Sequence, residues 1–122
     1  MQYQIFYMLP SFFRDGCMGL DWLHNHKRAP TLATLHSTHT MLCELTFPCD
    51  TDLNTALERV YDSMQGERWS PNGEGRDLIR SKGLEHTSMS VGDIIAEIDG
   101  NWGRLYIVDR FGFQPLGEPF RA

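Results

Sequence analysis

Apolar and polar positions alternate with period two at the start of the chain. Tyr3, Ile5 and Tyr7 fall on one side and Gln4, Phe6 and Met8 on the other, which predicts a strand over residues 2–9. Pro10 cannot continue a ladder and ends it. The next stretch has no clean period: Phe12, Phe13, Met18, Leu20 and Trp22 suggest short helical turns around Gly16 and Gly19, and Leu32 and Leu35 a further turn after Pro30. Alternation returns at His39, Met41, Cys43, Leu45 and Phe47 against Thr40, Leu42, Glu44 and Thr46, a second strand closed by Pro48. Leu53, Ala56, Leu57, Val60, Tyr61 and Met64 then recur at helical spacing and predict the main amphipathic helix, over about residues 52–65. Asp50, Thr51 or Asp52 is placed to cap it and Gly66 to end it. Trp69-Ser70-Pro71-Asn72-Gly73 reads as a turn or helix entry, and a shorter helix follows over about 74–82, stopped by Gly83. Residues 93–98 and 104–109 form a hairpin around Asp99-Gly100-Asn101, and Phe111-Gly112-Phe113 bends the chain into a last short strand.

The order β, irregular, β, α, α, β, β, β lacks regular βαβ alternation. It predicts an α+β fold, a mostly antiparallel sheet with a C-terminal hairpin, in a single domain spanning residues 1–122. In that fold Leu57, Val60 and Tyr61 pack on Met41, Cys43, Leu45, Ile94 and Ile107. The charge is balanced along the chain: residues 1–61 hold 4 basic and 6 acidic residues, and residues 62–122 hold 7 and 10. The net charge of −5 argues against direct nucleic-acid binding through phosphate-neutralising contacts. No apolar run approaches a membrane span, and the N-terminus lacks the pattern of a signal peptide. Three cysteines at irregular spacing suggest a reducing cytosol rather than a disulfide framework, so a cytoplasmic location is expected.

Candidate chemistry is sparse. His24-Asn25-His26, His36-Ser37-Thr38-His39, Cys43 and Cys49 have ligand-type side chains, but no Cys-x-x-Cys or His-Glu-x-x-His spacing, and the strand reading turns His39 and Cys43 inward; no metal or cofactor is expected. His86, Ser88, Ser90 and Asp93 are near in sequence, yet triad members normally come from separate segments, and Ser88 and Ser90 are better used on backbone groups. His36-Ser-Thr38 and His86-Thr87-Ser88 match half-motifs of two-histidine phosphoesterases only weakly. Gly73-Glu74-Gly75 lacks the Lys-Ser/Thr of a phosphate loop and reads as a turn. Gly92-Asp93 before an apolar run is a tight strand-entry turn, of a kind small barrels also use. Trp22, Trp69 and Trp102 lie in or beside loops, where interface anchors are often found.

His86-Thr-Ser-Met-Ser-Val-Gly-Asp-Ile-Ile95 and Tyr106-Ile-Val-Asp-Arg-Phe-Gly-Phe113 resemble the C-terminal signature of YodL-like domains, with Gly92 where that family's run has its second Ser. The resemblance covers roughly Trp69 to Leu116 and brings no catalytic residues. It implies a protein of a phage or other mobile genetic element, expected to be a non-enzymatic inhibitor of a bacterial defence complex such as an anti-CRISPR or antirestriction protein. Its partner is then a host defence protein or nuclease complex in the bacterial cytosol. The expected partner-binding surface is Trp69, Trp102 and Phe111, rimmed by Glu67, Glu74, Asp99 and Asp109. The alternatives are a small-barrel nucleic-acid or nucleotide binder, and a small hydrolase or metal protein using His36, His39 or His86.

Overall fold

A computed structural model describes residues 1–48 and 52–122. Strand β1 (Gln2–Met8) leads into three short helices, α1 (Pro10–Gly16), α2 (Leu20–Asn25) and α3 (Leu35–Thr38), then strand β2 (His39–Thr46). Three more helices follow, α4 (Leu53–Ser63), α5 (Gly66–Trp69) and α6 (Arg76–Ser81), and then β3 (Ile94–Asp99), β4 (Trp102–Val108) and β5 (Phe113–Arg121). The fold is α+β. Among the described residues the strands form one antiparallel sheet in the order β2-β1-β3-β4-β5. The order is open, with β2 and β5 at the edges, so the sheet does not close into the small barrel suggested by the Gly92-Asp93 entry. No described helix is long and apolar enough to cross a membrane.

Local chemistry sets the element ends. Pro10 ends β1 and serves as the first residue of α1, where a missing N–H costs nothing. Asp52 caps α4, its carboxylate accepting from Thr55 N–H at 3.0 Å and from Thr55 Oγ1 at 2.9 Å. The other proposed caps, Asp50 and Thr51, lie outside the described residues, as does Cys49. Gly66 begins α5 rather than ending the main helix, because its N–H is taken by Ser88 Oγ at 2.8 Å. The second helix starts later than expected, since Gly73 to Gly75 are spent in a turn in which Ser70 Oγ accepts from Gly75 N–H.

Both faces of the sheet are covered. Ala56, Leu57, Val60 and Met64 around α4, with Ile79 of α6, pack on Tyr3, Ile5, Tyr7, Ile95, Tyr106 and Val108. Phe12, Leu20, Leu23 and Leu35 of the N-terminal helices pack on Phe6, Met8, Ile94, Ala96, Leu105 and Ile107 of the opposite face. Ile94 and Ile107 therefore lie away from α4, and Ile95 and Tyr106 take the places expected of them. Tyr61 is half-buried against the α4 core, as are Cys43 and Leu45. Met41 is 36% exposed, and the cause is a bulge: Ile5 pairs with Cys43 but Phe6 with Met41, so Leu42 is the extra residue. The bulge reverses alternation, putting Cys43 and Leu45 on the α4 side and His39 and Met41 on the other.

Candidate functional site

The seven expected partner-binding residues fall in three places. Trp69 is half-buried against the α4 core, with its indole N–H donating to Thr87 O at 3.0 Å and its ring packed over Gly75. Glu67 and Glu74 are exposed nearby, and Glu74 is engaged locally, accepting from Asn72 N–H at 2.9 Å. Trp102, 55% exposed, stands at the β3–β4 turn with Asp99, above a shallow depression of about 170 Å³ that also touches Glu97, Arg104 and Pro119. Phe111 and Asp109 belong to the β4–β5 loop, at the other end of β4, about 20 Å away at the usual rise of a seven-residue strand.

A cleft of about 640 Å³ lies between α2 and this β4–β5 loop. Phe111 stands on its rim 88% exposed, and Met18, 47% exposed, and the half-buried Trp22 add apolar surface. Asp109 is structural here: its Oδ1 accepts from Leu20 N–H at 3.1 Å and from Arg110 N–H at 2.8 Å, tying the loop to the start of α2. Asp109 N–H in turn donates to Gly112 O at 2.9 Å, with Gly112 at φ +76°, so the turn that displays Phe111 is closed by backbone bonds. Sequence reasoning named Phe111 but placed neither Met18 nor Trp22 beside it. The contact depends on α2, a six-residue helix too short to show a period.

A second polar centre lies where β1, α1 and the segment from Leu84 to Asp93 meet. Asp93 is wholly buried and accepts from Met8 N–H and Ser90 N–H, both at 2.8 Å, and from His86 Nε2 at 2.9 Å. Burial pushes the Asp93 carboxyl up, while His86 and the two amides pull it down. His86 stacks on Tyr7, ring centroids 4.5 Å apart, and meets Phe13 edge-on at 4.7 Å. Tyr7 donates its hydroxyl to Thr87 O at 2.7 Å, and burial raises its ionisation well above the ordinary phenol range. His39 is buried, with Nε2 2.7 Å from Gly92 O, and burial lowers it to about 4.

The sequence brought His86 and Asp93 together as residues near in the chain; the structure pairs them directly. Ser88 and Ser90 serve backbone groups as expected, Ser88 Oγ accepting from Gly66 N–H and Ser90 Oγ donating to Ser88 O. Neither serine is hydrogen-bonded to His86. Burial pushes the Cys17 and Cys43 thiols up, away from the thiolate that nucleophilic chemistry needs. Among the described residues no group of three His, Cys, Asp or Glu side chains is arranged to hold a metal ion. His36 is exposed and sits edge-on to Phe6, while the exposed His26 stacks on Trp22. No protein-family model, curated protein or solved structure matches the chain.

Proposed function

We propose that the chain is a non-enzymatic protein of a phage or other mobile genetic element that inhibits a bacterial defence complex, CRISPR–Cas or restriction, by stoichiometric binding in the host cytosol. The observation that supports binding is Phe111. A phenylalanine 88% exposed on a closed turn, beside a cleft of about 640 Å³ with Met18 and Trp22, is the kind of aromatic anchor that gains free energy only when a partner desolvates it. The mobile-element setting rests on the YodL-like resemblance of the C-terminal segment. A net charge of −5 favours association with a cationic groove, such as one that holds nucleic acid on a nuclease complex.

The test is phage plaquing or plasmid transfer in hosts with and without individual CRISPR or restriction systems. The protein is expected to restore infection or transfer against at least one system, in proportion to its amount. Phe111→Ala is expected to abolish that effect while changing stability by less than about 0.5 kcal/mol, because the ring has little packing to lose. Trp102→Ala, at the far end of β4, weakens inhibition as well if the partner spans the strand. Equal efficiencies with and without the protein in every system would overturn the proposal.

A further inference from the structure

His86 has one ring nitrogen committed and the other free. Nε2 lies 3.0 and 2.9 Å from the two carboxylate oxygens of Asp93, and the ring is clamped between Tyr7 and Phe13. The histidine side chain is only 13% exposed. A carboxylate fixed on one nitrogen orients the ring and leaves the other for external chemistry. Among the described residues no hydrogen bond engages Nδ1. The residue lines a cleft of about 390 Å³ walled by Pro10, Phe13, Arg14 and Glu85. Arg14 is exposed on α1 and makes no ion pair among the described residues. Arg14, whose guanidinium makes no ion pair among the described residues, and His86, which as an imidazolium offers an Nδ1–H donor, line one cleft and are complementary to an oxyanion, and Phe13 and Pro10 supply an apolar wall for the group that carries it.

We propose that this cleft binds a small oxyanion, the phosphate of a monoester or a carboxylate, between Nδ1 of His86 and the Arg14 guanidinium. Phosphate suits both states of the ring: an imidazolium Nδ1–H donates to a phosphate oxygen, and a neutral Nδ1 accepts from P–OH. Glu85 opposes the anion, but from an exposed position where solvent and salt screen it. The site lies on α1 and the segment before β3, apart from the Phe111 cleft, so it stands or falls independently of the proposed inhibition.

The experiment is long-range proton–nitrogen correlation of the His86 imidazole, titrated with inorganic phosphate or with acetate at constant ionic strength. A saturable shift of the Nδ1 resonance is expected, with affinity weakened about tenfold in Arg14→Gln through loss of a charge-assisted contact and strengthened in Glu85→Gln. Both substitutions are at exposed positions, and thermal unfolding checks that each variant folds. Tighter phosphate identifies a monoester as the source and tighter acetate a carboxylate, and either supports the site. No saturation with either anion, or an affinity unchanged by Arg14→Gln, overturns it.

Discussion

Gly92 stands at φ +101°, and a Cβ built on it would lie 2.7 Å from the Gly16 carbonyl carbon and 2.5 Å from Met8 Sδ. The position tolerates no side chain while α1 stays against the sheet. Gly92→Ala is expected to cost roughly 3 kcal/mol in chemical denaturation, the sum of left-handed strain and overpacking. A loss below about 1 kcal/mol would show that α1 slides aside. His39, beside Gly92, sets a pH dependence. Its folded value of about 4 lies below the ordinary 6.5, so the unfolded chain takes up a proton that the fold refuses. The resulting stability is full above about pH 6.5 and is lost as pH falls toward 4, by roughly 3 kcal/mol at most. Denaturation at pH 7 and pH 4.5 should show a smaller drop in His39→Gln than in the native chain. Comparing the two proteins removes the separate contribution of Asp93, whose carboxyl burial pushes up.

At the scale of elements, the α4 stripe and the bulge in β2 make paired expectations. Leu57 is 2% exposed at the centre of one core, and Leu57→Ala is expected to cost about 2–5 kcal/mol. Met41→Ala, on the outward side of the bulge, is expected to cost less than about 1 kcal/mol, and parity between the two in urea denaturation would show that the bulge is misplaced. The stripe was legible because eleven residues give helical spacing room to repeat. The bulge was not, since an extra residue leaves composition unchanged while reversing every side chain beyond it. The run Ile94-Ile95-Ala96 was ambiguous for a different reason: with helices on both faces, the first three residues of β3 are all apolar and alternation carries no direction there. The exposed turn at Phe111 was legible, since an aromatic beside Gly112 marks a turn. The half-burial of Trp69 was not legible, because its indole partner, Thr87 O, comes from a segment that the sequence does not bring beside it.

Across the whole molecule, the edges of the sheet resist strand addition, β2 through its bulge and β5 through Pro115, Gly117 and Pro119. Strand addition is thus disfavoured at both rims of the sheet. The interior has a different consequence. β1 sits between β2 and β3, and Ile5 is paired with Ile95, ninety residues later. During synthesis β1 leaves the ribosome with its first neighbour close behind and its second still untranslated. Tyr3, Ile5, Phe6, Tyr7 and Met8 stay short of their final burial until β3 arrives. Closing so long a loop is slow, and the waiting strand exposes a sticky border that invites aggregation or capture by a chaperone. The nascent chain is therefore most vulnerable just before the Gly92-Asp93 turn delivers β3 to its place.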